Sequence, residues 1–367
     1  MILVESLISK LNKSKIDFFT GVPDSVLKPF SSFIENYKYK NHVIATSEGS
    51  AISIGIGYYL SKKKLPCIYF QNSGLGNALN PLISIANREI YSIPLLLMIG
   101  WRGSPNISDE PQHRAKGKIT LSLLKLLKIN YCILRNDNDL VKLNKLIGQA
   151  KKNKTIVACL IEKKTLQHKT KAKVIKKDNL ITRAEFIEIF LKSTPAKSKI
   201  ISTTGYTSRE LLEIRRKLKK NEGSDFYMVG GMGHSSSVTL GYALGSNKKI
   251  FCLDGDGSLL MHLGAMRTIG VTNKSGFKHI LLNNNSHESV GAQPTYADGI
   301  NFKNLSKSLG YKNYFQIAKR QEIEKKIKKF VSVKGPSLLE VKIQNRSLKN
   351  LGRPKNLVKV KNKFMNN

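Results

Sequence analysis

Short β-branched or aromatic runs alternate with helix-patterned stretches along most of this chain. That alternation points to parallel sheets covered by helices on both faces. In the first half, strands are expected at 16–20, 42–45, 67–71, 95–99, 131–134 and 156–161, with helices at 24–36, 48–61 and 139–151. Residues 163–177 are Lys-rich and poor in large apolar side chains, as a linker is. The pattern then restarts, with strands at 199–202, 249–253, 279–283 and 337–341 and helices at 183–192, 235–244, 258–269 and 321–331. A chain of 367 residues accommodates two domains of about 150–200 residues each. The expected class is α/β, with two doubly wound parallel-sheet domains at 1–165 and 181–352, a linker at 166–180 and a basic tail at 353–367.

The net charge of +37 raises a nucleic-acid reading. The lysines are dispersed, however, at 62–64, 151–152, 163–164, 169–177 and 325–329. A nucleic-acid module concentrates its charge and interleaves aromatic or Arg readers. Solvated surface is the better account, with steering of an anionic substrate as a use for it; no nucleic-acid partner is expected. The longest apolar run, near 93–101, is about half of a membrane span, so no membrane association is expected either. The opening MILVESLISK carries Glu5 and no cleavage site, unlike a secretory signal. Cys67, Cys132, Cys159 and Cys252 lie scattered in strand-like apolar runs, as buried thiols of a reducing cytoplasm would.

Ligands of open parallel sheets bind at the carboxyl ends of strands. The polar and glycine-rich stretches fall there: Gly21-Val22-Pro23-Asp24, Thr46-Ser47-Glu48-Gly49, Asn72-Ser73-Gly74, Gly100-Trp101-Arg102-Gly103, Asp254 onward and Asn283 onward. In KKIFCLDGDGSLLMHLG, Gly255 and Gly257 permit a tight turn, and the following helix start offers free N–H groups to a phosphate. Asp256 would face that dianion, which is unfavourable unless a hard divalent cation such as Mg²⁺ sits between them. The strand ending in Asn283-Asn284-Asn285-Ser286 can complete an oxygen shell. A lone GDG is a helix cap and turn more often than a cofactor site. GDG at a strand end, followed by a helix and a strand ending in NN, is far more specific.

GDGSLLMHLGAMRTIG and LLNNNSHESVG together resemble the binding motif of the thiamine-diphosphate enzymes. The resemblance implies that Gly255, Asp256, Gly257 and Ser258 hold the diphosphate. It further implies that Asp256, Asn284 and the carbonyl of Ser286 hold Mg²⁺, with Asn283 as the alternative amide. Gly230-Gly231-Met232-Gly233 resembles the loop whose bulky residue bends the cofactor, so Gly231 and Met232 are expected to touch it. In this family a Glu on the other domain activates the aminopyrimidine ring, and HVIATSEGSAISIGIG matches that element with Glu48 in place. Asp24, in FFTGVPDSVL, resembles the acid near the thiazolium of the decarboxylases. His113, in DEPQHRAKG, is the other expected proton donor. Arg102 or Arg114 suits a substrate anion.

The chain lacks the middle domain of ordinary family members. GVPDS, YFQNSGLGNALNPLISIA, TGYTSRELLE, GGMGHSSS and NNNSHESVGAQPT look like the phosphonopyruvate decarboxylases, over about 16–354. Sulfopyruvate decarboxylases share much of this set, often as two subunits; both halves in one chain favour the phosphonate enzymes. The implied chemistry is decarboxylation of 3-phosphonopyruvate to phosphonoacetaldehyde in phosphonate biosynthesis. The implied assembly is at least a homodimer with sites shared between subunits. Arg102, the loop from His287 to Gln293 and the cluster 346–353 are the expected distal-anion ligands. A nicotinamide dehydrogenase is the weaker rival reading, because CIYFQNSGLGNAL lacks the third fingerprint Gly and a strand-end acid about 20 residues on.

Overall fold

The computed structural model describes residues 1–36, 41–105, 107–168, 180–219 and 224–367. The chain divides into two compact units, Met1–Ala172 with Val290–Gln293, and Lys173–Ser289 with Pro294–Asn367. The first is built on β1 (Phe19–Gly21), β2 (His42–Ile44), β3 (Cys67–Gln71), β4 (Leu96–Trp101), β5 (Asn130–Leu134) and β6 (Val157–Glu162). The second is built on β7 (Lys199–Ser202), β8 (Asp225–Tyr227), β9 (Ile250–Gly255), β10 (Phe277–Asn283), β11 (Asn313–Ile317) and β12 (Ser337–Lys342). Each set forms a wholly parallel six-stranded sheet, ordered β2-β1-β3-β4-β6-β5 in the first and β8-β7-β9-β10-β12-β11 in the second. The two orders are the same pattern. The two domains are thus the doubly wound α/β units expected, with no middle domain.

Strands covered on both faces read as unbroken apolar runs. Residues Leu96 to Trp101 and Val157 to Glu162 are buried throughout. Alternate residues feed opposite faces: Leu96 and Met98 join one apolar cluster, Leu97 and Ile99 the other. In the second unit, Phe251 and Leu253 are divided from Ile250 and Cys252 in the same way. All four cysteines are free and buried in these cores.

Several elements depart from the sequence pattern. The helix expected at 258–269 is two, Asp256–Met261 and Ala265–Thr272, parted at His262-Leu263-Gly264. Helices Pro111–Leu126 and Tyr206–Leu218, and strands β8 and β11, were not legible as elements. Most of the expected linker, 169–179, lies outside the described residues. Its start does not: Leu166–Gln167 pairs with Ile2–Leu3, and Leu166 packs into the first core. No helix among the described residues is long and apolar enough to cross a membrane.

The basic tail contains an element that was not legible in the sequence. Leu357–Asn366 is a helix, capped by the Asn356 side chain accepting from the Lys359 N–H at 3.1 Å. Phe364 is its anchor, only 5% exposed, with ring centroids 5.7 Å from Phe226 and 5.4 Å from Tyr242. The Lys199 ammonium lies 4.5 Å over the Phe364 ring and donates to its carbonyl. Val360, one turn earlier, packs half-buried against the core beside it. Phe364→Ala is expected to lower unfolding free energy by about 3 kcal/mol in urea titrations. An unchanged midpoint would mean the helix is not docked in solution.

Candidate active site

In the first unit, polar side chains gather at the carboxyl ends of four neighbouring strands, β2, β1, β3 and β4. After β2 the chain stays extended through Ser47, whose hydroxyl accepts from the Ser50 N–H at 3.4 Å and starts helix Glu48–Lys62. Glu48 therefore sits in the first turn, buried, where the helix dipole favours its charge. Asn77 Nδ2 donates to its Oε2 at 2.9 Å, the one hydrogen bond to this carboxylate among the described residues. A Cβ at Gly74 would lie 2.4–2.6 Å from the Glu48 side chain, so position 74 must be glycine for the acid to lie there. Gly74 and Asn77 were missed as supports of Glu48.

Asp24 is 1% exposed. Its Oδ2 accepts from the N–H groups of Val26 and Leu27 at 2.9 and 3.2 Å, and its Oδ1 accepts from Gln71 Nε2 at 2.5 Å. Burial pushes its pKa above the ordinary carboxylate value against these bonds, favouring the protonated form. Arg102 is less available than its residue type promised. Its Nε and Nη2 grip Asp109 at 2.6 and 2.5 Å, and Nη1 donates to Ser25 at 3.0 Å. The Gly103 and Glu110 N–H groups also donate to Asp109, and its pKa lies well below the usual range despite burial. The donors of Arg102 left for a substrate anion are the second hydrogens of Nη1 and Nη2.

His113 is buried near the start of helix Pro111–Leu126. That helix presses on the turn after β4. A Cβ at Gly103 (φ +69°) would meet the His113 carbonyl at 2.0 Å, and one at Gly117 would meet the Gly103 carbonyl at 1.6 Å. Two glycines thus bring the helix backbone onto the strand end. They also bring in Lys116, half-buried and unforeseen, whose pKa is lowered by burial while the Glu48 charge works to raise it.

In the second unit, the corresponding cluster lies at the ends of β9 and β10. Asp256 opens its helix, buried, with Thr295 Oγ1 donating to Oδ2 at 2.6 Å, and burial pushes its pKa up to about 6. A Cβ at Gly257 would come within 2.7 Å of the His287 ring, which places His287 against the GDG turn. Burial pulls His287 down to about 4, so near neutral pH it offers a neutral imidazole rather than a cation. Ser258 Oγ accepts from Thr203 Oγ1 at 2.9 Å and from the Gly233 N–H at 3.2 Å. Ser258 thereby ties the GDG turn to the Gly231-Met232-Gly233 loop, where Gly231 and Gly233 have φ of +64° and +87°. Met232 is half-exposed, not core.

The two asparagines behave differently. Asn283 is 1% exposed, donating to Glu340 at 2.8 Å and accepting from the Asn285 N–H at 3.2 Å, so its amide serves the sheet. Asn284 lies in the loop, accepting from the Ser286 N–H at 3.2 Å and donating to Glu288 at 3.3 Å. Asn285 Oδ1 and Ser286 Oγ are buried without a hydrogen-bond partner among the described residues. Oxygen donors with unused capacity beside a buried carboxylate fit a hard divalent cation. Behind the loop, His279 bridges Tyr311 (3.0 Å) and Asp254 (3.3 Å), and Asp254 accepts from the Gly255 N–H at 2.9 Å. This buried chain braces the start of the turn and was not anticipated.

Two α/β units of one topology, each with polar groups gathered at its strand ends, have the arrangement in which open parallel sheets bind ligands. The chain belongs to the thiamine pyrophosphate enzymes: residues 1–122 match the N-terminal TPP binding domain and residues 204–341 the C-terminal TPP binding domain. It is similar to the phosphonopyruvate decarboxylase of Streptomyces viridochromogenes, at 29% identity over 97% of this chain and 92% of that one. The sulfopyruvate decarboxylase subunit beta of Methanococcus maripaludis is 31% identical over 51% of this chain and 97% of its own. A sulfopyruvate decarboxylase of Methanosarcina acetivorans is 26% identical over 92% of this chain and 90% of its own. That last match spans both halves, so the single-chain arrangement does not by itself favour the phosphonate enzymes.

Proposed function

We propose that this chain is a thiamine-diphosphate- and Mg²⁺-dependent decarboxylase converting 3-phosphonopyruvate to phosphonoacetaldehyde and CO₂. The observation that carries this reading is the 29% identity to a phosphonopyruvate decarboxylase along nearly the full length of both chains. Bound thiamine diphosphate supplies the nucleophilic carbon and takes up the electron pair released as CO₂ leaves. Asp256, Asn284 and Ser286 are the residues proposed to hold Mg²⁺. Gly255, Gly257 and Ser258 shape the diphosphate turn, with Gly231 and Met232 beside it. Glu48, free at Oε1 among the described residues, is proposed to share a proton with the aminopyrimidine ring. Asp24, with its protonated form favoured by burial, and His113 are proposed to deliver a proton to the carbon that loses CO₂. The remaining guanidinium donors of Arg102 and the imidazole of His287 are proposed contacts for the substrate. An assembly of at least two chains with shared sites, acting in the cytoplasm, completes the proposal; the four free buried thiols support that compartment.

Sulfopyruvate is the second reading, because relatives bearing that name match either half or the whole of the chain. The test is CO₂ release from phosphonopyruvate, sulfopyruvate and pyruvate with thiamine diphosphate and Mg²⁺ supplied. We expect kcat/KM for phosphonopyruvate to exceed that for pyruvate by about 10²-fold or more, since a site that pairs a distal anion rejects a substrate lacking it. A preference for sulfopyruvate would establish the second reading. No release from any of the three would sink both.

A further inference from the structure

Arg183 opens helix Arg183–Ser193 and is only 5% exposed, an unusual place for a cation. Its Nη1 donates to Glu210 Oε2 at 3.3 Å, and its Nη2 makes a short bond to Glu288 Oε2. Tyr206 lies beside the guanidinium, at 5.9 Å, and Glu210 also accepts from the Leu348 N–H at 2.8 Å. Tyr206 and Glu210 come from the stretch TGYTSRELLE, to which no role was attached. Glu288 Oε2 has a second donor, Asn284 Nδ2, at 3.3 Å. The Ser286 N–H points at the other end of the same amide, 3.2 Å from Oδ1. Both bonds agree on which end of Asn284 is oxygen. This matters because the two ends of an amide are nearly equal in shape, whereas a cation accepts only the oxygen.

We propose that Glu288, held by Arg183, which Glu210 in turn fixes, is a positioning residue that sets the Asn284 amide so that its oxygen serves the cation site. The inference rests on the Mg²⁺ reading given above. Partners one step removed from a metal change affinity by about 10–100-fold when lost.

The test titrates Mg²⁺ into the full-length chain with thiamine diphosphate present, reading heat by calorimetry and retained thiamine diphosphate by gel filtration. In Glu288→Ala the Mg²⁺ half-saturation point is expected to rise about tenfold, while the ligand-free Tm moves by less than about 2 °C. An unchanged half-saturation point overturns the inference, as does weaker binding that merely follows a large drop in Tm. Asn284→Asp makes the two ends of that side chain equivalent, so adding Glu288→Ala to it is expected to leave half-saturation unchanged or to lower it. An equal tenfold loss in both backgrounds also overturns the inference. If the wild-type chain retains thiamine diphosphate equally well with Mg²⁺ chelated, the metal reading itself fails.

Discussion

Replacing Glu48 by Gln should lower kcat by about 10²–10⁴-fold, the range that a lost general acid or base removes. Thiamine diphosphate should still bind in the presence of Mg²⁺. The glutamine keeps the volume that Gly74 leaves open, and its amide oxygen can still accept from Asn77. What it lacks is a carboxylate able to share a proton with the aminopyrimidine ring. The measurement pairs single-turnover CO₂ release with calorimetric binding, because the two must separate. A variant that turns over at the wild-type rate would remove Glu48 from the chemistry. A variant that loses binding together with turnover would make Glu48 a structural support.

The second large effect concerns subunits. Asp256→Ala alone should be inactive, having lost the carboxylate proposed to bridge Mg²⁺ and diphosphate. Co-expressed with Glu48→Gln, it should recover about a quarter of wild-type activity. If each site takes Glu48 from one chain and Asp256 from another, half of the randomly assembled dimers are mixed, and each mixed dimer has one intact site of two. If both residues of a site belong to one chain, mixing recovers nothing. Zero recovery would overturn the shared-site assembly while leaving the chemistry standing.

The sequence carried the fold wherever local pattern and tertiary role agree. Cys67–Gln71, Lys199–Ser202 and Ser235–Leu244 were legible to the residue, since apolar runs there end at polar or glycine punctuation. Helix Pro111–Leu126 was not, because Gly117 interrupts it for a reason lying far off in sequence, the close approach to Gly103. Strand β11 is an edge strand, mostly half-buried, so its apolar signal is weak. Helix Leu357–Asn366 has one buried residue, Phe364, and its other apolar residues are spaced among lysines and asparagines, which masks the pattern. At the site, Glu48 and Asp256 were readable as acids at strand ends. Their supports were not: Asn77 lies 29 residues from Glu48, and Arg183 lies 105 residues from Glu288. A hydrogen bond across such a distance leaves no periodicity to read. Arg102 shows the converse, for Asp109 seven residues away takes up part of the donor capacity that its residue type suggests.

The shared strand order makes the two halves directly comparable. The second strand of each half leads to Glu48 in one and to the Gly231-Met232 loop in the other; the third leads to Gly74 and to Asp256; the fourth to Arg102 and to Asn284. On the proposed reading, corresponding positions take up unlike duties, the acid in one half and the oxygen cradle in the other.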